Sequence, residues 1–349
     1  MKHLTNTFRS RWSRYLTLLA LLGSLGWMPL AQAQSLVLSN LWSAAAETES
    51  YPFLKNDHSS RGLAYNPVTD HVLVPSRTGT PAIHILDSTT GAVLGTLPYD
   101  AGIITGGIFA VNMIGITDDG VIYVGNLTRD ALGDDGPFKL YRWADESAQP
   151  ELVYSGDPSN GETEANARRF GDSLALRGTG TGTQILLGTF LPNAAVLTTT
   201  DGTNFTATSI QTDMAAQDGR WGLVWGAGNT FYAKQGTGLL KKFNLDLGLG
   251  QAAVVSTIAL PGLNGGPLAL DLDRNIVAVV DTTAHMLRLY DIADVAAPIQ
   301  LDAKDFPAKN SNGNFTGAVA LRDNRLFALE TNNGILACSL HEVYLPPTI

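Results

Sequence analysis

Short apolar runs, each ending near an Asp, Asn or Gly turn, recur about every 45–60 residues along the chain after residue 60. Each run is followed at once by a second short run rich in β-branched and aromatic residues. The first runs of the successive copies are GLAYNPVTD, VNMIGITDDG, DSLALRGTG, WGLVWGAGN, LALDLDRN and GAVALRDN. A unit of short strands repeated at a near-constant spacing is typical of β-propellers and related radial repeats. The pattern therefore predicts an all-β fold.

The first five copies each divide into four strands, A to D. In the first copy they are predicted at 62–66, 71–77, 82–87 and 92–97, with DSTTG as the C–D turn. The sixth copy lacks strand D, whereas SLVLSNLW at 35–42 is a strand that no copy claims. We therefore predict a six-bladed β-propeller in which this N-terminal strand completes the last blade and removes an exposed sheet edge. Seven blades are the alternative, because the insertion at 157–171 could contain weak strands.

The first 33 residues have the pattern of a signal peptide. Lys2, Arg9, Arg11 and Arg14 precede an apolar stretch at 15–30, and Ala31-Gln32-Ala33 matches a cleavage site before Gln34. The apolar stretch is shorter than the roughly 20 residues that span a bilayer. We expect an exported protein, periplasmic or extracellular, with no transmembrane anchor after cleavage and a single propeller domain over 34–349.

The charge of the mature chain limits its partners. Removing the four basic residues of the leader from 23 Lys and Arg leaves 19 against 32 Asp and Glu, a net charge of −13. A surface this acidic repels polyphosphate, so we expect no nucleic-acid partner. Cys338 is the only cysteine and lies in an apolar run, so a buried thiol and no intrachain disulfide are expected. We expect a monomer.

Polar residues are predicted to meet on one face of the propeller. The D–A loops are longer than the compact A–B turns, and they share their face with the starts of the A strands and the ends of the B strands. Arginine forks suit carboxylate ligands, and an indole suits the flat face of a sugar. The candidate ligand-binding residues are Arg61, Arg77, Asn126, Arg169, Arg220, Trp221, Lys234 and Asn264. The alternative explanation is that channel-lining polar groups only neutralise one another.

The segment RGLAYNPVTDHVLV…ILDSTTGAVLGTL resembles NHL-type six-bladed propellers, the fold that the gluconolactonase and regucalcin lactonases also use. The resemblance covers 35–343, is one of pattern, and points to an uncharacterised family of secreted bacterial propellers. It implies a divalent cation at the channel mouth, although Arg61 stands where those enzymes place a carboxylate ligand. Oxygen donors that could still form a Ca²⁺-type site are Asn126, Asn264, Asp281 and Glu330. No other cofactor is implied.

Three functions remain open from the sequence. The first is an exported propeller that binds a small polar or anionic ligand, or a glycan, at the channel face. The second is a hydrolase or lyase that acts on a sugar acid, lactone or uronate, with His58, Asp172 or Glu330 as the catalytic proton carrier. The third is a protein-interaction scaffold of the cell envelope. The arrangement of Arg61, Arg169 and Arg220 is expected to discriminate among them.

Overall fold

A computed structural model describes residues 34–344 of the chain, and strands account for most of its regular structure. The strands, in chain order, are β1 Gln34–Ala45, β2 Ala64–Asn66, β3 His71–Ser76, β4 Ala82–Asp87, β5 Val93–Thr96, β6 Phe109–Ile116, β7 Ile122–Leu127, β8 Phe138–Trp143, β9 Glu151–Gly156, β10 Ala175–Arg177, β11 Gln184–Gly188, β12 Asn193–Thr199, β13 Phe205–Thr212, β14 Gly222–Trp225, β15 Thr230–Lys234, β16 Leu240–Asp246, β17 Gln251–Ile258, β18 Gly265–Asp271, β19 Ile276–Asp281, β20 Met286–Asp291, β21 Ile299–Asp305, β22 Gly317–Arg322, β23 Arg325–Glu330 and β24 Gly334–Tyr344. Helical structure in the described part of the chain is limited to one α-helical turn, Asp218–Trp221, and 3-10 turns at Ala165–Arg168 and Gly180–Gly182. The all-β prediction is confirmed.

The strands form antiparallel meanders in a propeller-like arrangement. Three sheets have the orders β2-β3-β4-β5, β6-β7-β8-β9 and β18-β19-β20-β21, and a fourth has the order β1-β24-β23-β22. The remaining sheet has eight strands in the order β10-β11-β12-β13-β17-β16-β15-β14. Sequence reasoning gave separate four-stranded units throughout, so this joined sheet is a difference between prediction and structure.

The eight-stranded sheet consists of two meanders joined along their last strands. The joint is parallel and short, because only Gln211 pairs with Gln251 and Thr212 with Ala252. Every other pairing within this sheet is antiparallel. Gly250, in the turn before β17, accepts a hydrogen bond from the backbone amide of Gln211 through its carbonyl oxygen. A local contact between two outer strands therefore joins units that are otherwise built like the others.

The N-terminal strand joins the last sheet, as predicted. β1 lies next to β24 at the edge of that sheet, so strands from the two ends of the described chain are neighbours. Trp42 anchors β1 to the β2–β5 sheet, because its indole Nε1 donates to the carbonyl of Ser88 at 2.8 Å. The same indole packs against Phe327 of β23, with ring centroids 6.3 Å apart.

A cavity of about 320 Å³ runs between the first strands of the meanders. Its lining comes from β2, β6, β10, β14, β18 and β22 and from the residues just before them, and it is mainly apolar or small, as at Leu63, Ile114, Leu174, Leu268 and Val319. Each of these strands contacts the next, and β22 contacts β2 in turn. The first strands therefore surround a central channel.

Apolar clusters fill the spaces between neighbouring meanders. One cluster joins Leu73 of β3 to Val124 of β7, and another joins Tyr123 of β7 to Leu187 of β11. Such face-to-face packing of sheets buries the alternating apolar residues of both partners. Trp143 of β8 is fully buried in the first of these clusters.

Residues Leu36–His341 form one compact unit. At the two ends of the described chain, residues 34, 35 and 342–344 lie outside this unit. The predicted signal peptide at 1–33 lies outside the described residues and stays a prediction. Within 34–344, no helix has the length and apolar character to cross a bilayer.

Candidate functional site: a cluster of arginines at one mouth of the channel

Strand register determines which residues lie at each end of the channel. Gly222 at the start of β14 pairs with Lys234 at the end of β15, and Gly317 at the start of β22 pairs with Glu330 at the end of β23. The start of each first strand therefore lies beside the end of each second strand. The polar residues that the sequence assigned to both positions share one mouth of the channel.

Three arginines from different meanders converge on Asp172 at this mouth. Arg169 donates hydrogen bonds from Nε and Nη2 to the Asp172 carboxylate, and the Nη2–Oδ1 distance is 3.1 Å. Arg220 donates from Nε to Oδ2 at 3.2 Å, and Arg61 Nη1 lies 3.9 Å from Oδ1. The Asp172 side chain is 3% exposed. A single buried carboxylate thus holds three guanidinium groups in place.

This cluster carries more positive than negative charge. Burial lowers the pKa of Arg61 and of Arg220, and in both cases Asp172 opposes the shift while Arg169 adds to it. Buried charge is costly unless it is paired, and three cations share one anion here. The guanidinium of Arg61 also has N–H donors that are not used. In the described chain it makes one hydrogen bond, from Nε to the carbonyl of His58 at 3.3 Å.

Arg77 forms the second part of the cationic surface. Its guanidinium lies 3.7 Å from the centre of the Phe109 ring, and that of Arg61 lies 5.0 Å from the same ring. Arg77 donates to the amide oxygen of Asn112 at 2.9 Å and to the carbonyl of His58. Burial and the nearby Arg61 lower the pKa of Arg77 to about 9. Its contacts are neutral oxygens, so the charge of Arg77 is not paired by direct contact.

Close backbone approach positions the arginine-bearing loops. A Cβ at Gly188 would lie 1.8 Å from the carbonyl oxygen of Gly219, so the turn that carries Arg220 can pack there only against glycine. Gly171 has φ +101°, and a Cβ on it would lie 1.9 Å from the Asn126 carbonyl oxygen. Asn126 therefore helps to position Asp172 through its backbone, whereas its side chain bonds to Pro137 and Lys139.

Trp221 provides an aromatic surface beside the cluster. Its ring stacks on Phe315, with centroids 4.6 Å apart, and its Nε1 is buried without a hydrogen-bond partner. Phe315 has φ +56°, a strained backbone conformation that concentrates at functional loops. Asn264 is close by, because a Cβ at Gly236 would lie 3.4 Å from both Asn264 Oδ1 and Trp221 Cζ3. The structure thus brings Trp221 and Asn264 together.

Lys234 is buried and cannot reach a ligand. Its ammonium contacts the carbonyl oxygens of Gly236, Gln235 and Gly265, the last at 3.3 Å. Burial lowers its pKa to about 8. Lys234 therefore joins two meanders, from β15 to the start of β18, and its three backbone acceptors account for its donors.

Glu330 and His285 form a second polar site at the same mouth. Glu330 Oε1 lies 2.7 Å from His285 Nδ1, and Oε2 is buried without a partner. Burial raises the pKa of Glu330 to about 8, although the amides of Asn333 and Asn312 oppose the shift. Burial also lowers the pKa of His285. Both directions favour the uncharged form of each group.

The predicted oxygen donors for Ca²⁺ have separate contacts. Asp281 accepts from Arg288 Nε at 2.8 Å and from the backbone amides of Thr283 and Ala284. Asn264 donates to Thr283 Oγ1 at 2.9 Å. Over residues 34–344, no three His, Cys, Asp or Glu side chains are grouped as metal ligands would be. The Ca²⁺ hypothesis stays a prediction.

His58 contributes to this mouth mainly through its backbone. Its carbonyl accepts from both Arg61 and Arg77, and its amide donates to Asn332 Oδ1 at 2.9 Å. Burial and Arg61 lower the pKa of its imidazole, while the backbone adopts φ +62°. A role as a general base stays a prediction.

Sequence reasoning missed three side chains of this mouth: Phe109, Asn112 and His285. Phe109 and Asn112 lie in β6, which begins with apolar residues. The candidates at the starts of first strands were selected as polar residues, so β6 contributed none of them. Aligning the modules would have placed Phe109 near Arg61. His285 lies in a turn with φ +55°, where a non-glycine residue is uncommon, but the sequence gives no sign of that backbone conformation.

The fold and this mouth define an all-β, propeller-like protein with a cationic cluster at one end of a central channel. The chain belongs to the family described as "Domain of unknown function (DUF4623)", whose model matches residues 47–261. The crystal structure of a DUF4623 family protein from Bacteroides eggerthii is similar, at 15% identity and a TM-score of 0.67 over 89% of this chain and 78% of that one. Raptor from Chaetomium thermophilum matches at 12% identity and a TM-score of 0.50 over 89% of this chain and 30% of that one. At such low identity, both likenesses concern the fold alone. Among curated proteins, none matches this chain.

Proposed function

We propose that this protein is an exported six-bladed β-propeller that binds a small anionic ligand at the arginine-lined mouth of its channel. The observation that carries the proposal is the convergence of Arg61, Arg169 and Arg220 on the single carboxylate of Asp172. Residues that served only to neutralise one another would be balanced in number. The surplus of guanidinium groups fits a ligand that brings its own negative charge.

The blade count rests on the inner strands and the cores between meanders. Six first strands line the channel, and six apolar clusters fill the spaces between successive meanders of the described chain. The two-residue joint between β13 and β17 connects outer strands and leaves both inner strands, β10 and β14, at the channel. We therefore count the eight-stranded sheet as two blades. The likeness to NHL and gluconolactonase propellers is a further part of the proposal.

Export is proposed from the sequence of residues 1–33, with its basic start, apolar stretch and Ala-Gln-Ala site. A periplasmic or extracellular protein meets small nutrients and glycan fragments, many of which carry carboxylates. The flat surface of Trp221 beside the arginines suits the face of a sugar ring. Sugar acids are accordingly the first ligands to test.

The test compares two adjacent arginines. Arg169→Ala removes a guanidinium from the cluster, whereas Arg168→Ala removes one that pairs with Asp130 at 2.6 Å outside it. Isothermal titration with galacturonate and galactarate, at low ionic strength, should show binding that Arg169→Ala weakens at least about tenfold and Arg168→Ala leaves unchanged. Equal losses in both variants, or no binding to the wild type, would refute the proposal and favour a protein-interaction scaffold.

A second candidate function is catalysis by the Glu330–His285 pair. The carboxyl of Glu330 lies 2.7 Å from the imidazole of His285, and a titratable group whose pKa burial shifts this far is a candidate for proton transfer. Glu330 is fully buried, so His285 is the group that could contact a substrate. Incubation of the protein with sugar lactones and unsaturated uronates would show turnover that His285→Gln abolishes. Turnover unchanged in that variant would exclude the pair.

A further inference from the structure

We propose that the ligand of this mouth is a doubly charged anion, a dicarboxylate or a phosphate monoester, rather than a monocarboxylate. This inference rests on the proposed function and adds the charge of the ligand to it. It follows from the number and the contacts of the charged side chains at the mouth.

Among the described residues, the charges of the arginine cluster that act on one another can be counted. Four guanidinium groups are present, those of Arg61, Arg77, Arg169 and Arg220. Two carboxylates oppose them. Asp172 lies within 4 Å of Arg61, Arg169 and Arg220, and Asp57 lies close enough to attract Arg77 electrostatically. The surplus is two positive charges.

Neighbouring ion pairs do not change this count. Asp135 is the next carboxylate near Arg169, but Arg129 holds it through Nε and Nη2, both at 2.8 Å. Arg168 is likewise bound to Asp130. Each of these pairs is neutral. His58 adds no charge at neutral pH, because its surroundings favour the uncharged imidazole.

The surplus lies where water screens it poorly. The side chains of Arg61, Arg169 and Arg220 are 7%, 16% and 14% exposed, so their mutual repulsion acts through a medium of lower polarisability than bulk water. A monoanion would leave one charge uncompensated in this setting. A dianion neutralises the cluster.

Free donors are available on three sides of the mouth. In the described chain, Arg169 uses Nε and Nη2 on Asp172, and Arg220 uses Nε on Asp172 and Nη1 on Gln217. Arg169 Nη1, Arg220 Nη2 and Arg61 Nη2 are therefore left to donate to a ligand. Because these arginines come from three meanders, a ligand that bonds to all of them needs several oxygen acceptors, as two carboxylates or one phosphate provide.

The experiment uses two ligands that differ in one charge. Galactarate has a carboxylate at both ends of a six-carbon chain, and galacturonate has one carboxylate. Titration calorimetry at about pH 7.5 and low salt should give a dissociation constant for galactarate at least about tenfold below that for galacturonate. Glucose 6-phosphate, a dianion through its phosphate, forms a third arm that separates phosphate esters from dicarboxylates. A preference for either dianion supports the proposal and identifies its source.

Variants of Arg220 test whether charge number sets the preference. Arg220→Gln lowers the surplus to one, so the galactarate to galacturonate ratio should fall towards one, whereas Arg220→Lys keeps the charge and should keep the ratio. Arg274→Gln is the matched control, because Arg274 carries the same charge in the β18–β19 turn at the other end of the channel. If Arg220→Gln proves unfolded by circular dichroism, the salt dependence of wild-type binding replaces it, and galactarate should show the steeper dependence.

The outcomes separate this inference from the proposed function. If galacturonate, galactarate and glucose 6-phosphate bind with equal affinity, the mouth is an anion site and the dianion inference is wrong. The dianion inference is also wrong if Arg220→Gln and Arg274→Gln both leave the galactarate to galacturonate ratio unchanged. If none of the three anions binds the wild type, the proposed function itself fails.

Discussion

At the scale of the residue, the buried carboxyl of Glu330 makes the stability of this protein depend on pH. Its pKa is raised to about 8 in the folded state from an ordinary value of 4.5, because burial disfavours the ionised form. The folded protein therefore holds this proton more tightly than the unfolded chain. The contribution of Glu330 to stability is complete below about pH 4.5 and is lost as the pH rises through about 8.

We expect Glu330→Gln to remove this pH dependence. Urea unfolding of the wild type and the variant should be compared at pH 5, 6.5 and 8, because their difference cancels the titration of groups that do not contact Glu330. The wild type should lose stability relative to the variant by up to ~1.4 kcal/mol per pH unit within this window. Glu151→Gln, a change at an exposed carboxylate, serves as the control. A difference that stays constant with pH would show that Glu330 is ionised when buried.

Residue identity at the mouth was largely predictable, but residue contacts were not. The position of Arg61, Arg169 and Arg220 before first strands follows from the module boundaries in the sequence. Their convergence on Asp172 depends on the backbone approach at Gly188 and Gly171, which the sequence does not reveal. Likewise, Asp281 and Glu330 occupy equivalent positions, yet one pairs with Arg288 of its own sheet and the other with His285 of the neighbouring sheet.

At the scale of the element, β1 stabilises the fold more than an edge strand usually does, because its buried residues pack into two apolar clusters. It brings Leu38, Trp42 and Ala44 into two apolar clusters, one on each side of the last sheet. Trp42 lies with its ring against Gly91, where a Cβ would be 2.7 Å from the indole. β1 therefore holds the last sheet against the β2–β5 sheet.

We expect Trp42→Ala to destabilise the protein by about 3–5 kcal/mol, because it removes a buried indole and its hydrogen bond to Ser88. Leu41→Ala, one residue away on the exposed face of β1, should cost under roughly 0.5 kcal/mol. Chemical denaturation followed by tyrosine and tryptophan fluorescence measures both. Equal losses from the two variants would mean that β1 does not pack as the structure shows.

Most elements could be predicted from periodicity. The four strands of the first copy begin and end within two residues of the expected positions, because alternation and turn residues determine them locally. The joint between β13 and β17 could not be predicted. It depends on how far two outer strands diverge in space, and a two-residue parallel pairing leaves no pattern in either sequence.

At the scale of the whole molecule, Cys338 reports on whether the last sheet is intact. It lies in β24 between β23 and β1, is fully buried, and burial raises its pKa to about 12. The folded thiol is therefore inert, since thiolate is the reactive form. We expect a thiol reagent at pH 8 to label Cys338 only as fast as the protein unfolds globally, measured by mass spectrometry against the unfolding rate. Labelling that is much faster would reveal local opening between β1 and β24.

The same measurement on a protein that lacks residues 35–42 tests ring closure. Deleting this segment uncovers β24 and removes Leu38 and Trp42 from their clusters, so we expect severe destabilisation and rapid labelling of Cys338. Cooperative unfolding at the wild-type temperature, with the thiol still protected, would contradict the role given to β1.

The joint between β13 and β17 has a consequence for the motion of the channel mouth. Arg169 and Asp172 precede β10 and Arg220 precedes β14, and both strands belong to the eight-stranded sheet. Arg61 and Arg77 belong to the β2–β5 sheet, which shares no hydrogen-bonded strand with it. Rocking of neighbouring sheets against each other would therefore move Arg169, Asp172 and Arg220 together, while Arg61 and Arg77 would approach or withdraw. A ligand that bridges the two groups would slow that rocking, and amide exchange at the ends of β2 and β3 would fall more than exchange along β10 and β14.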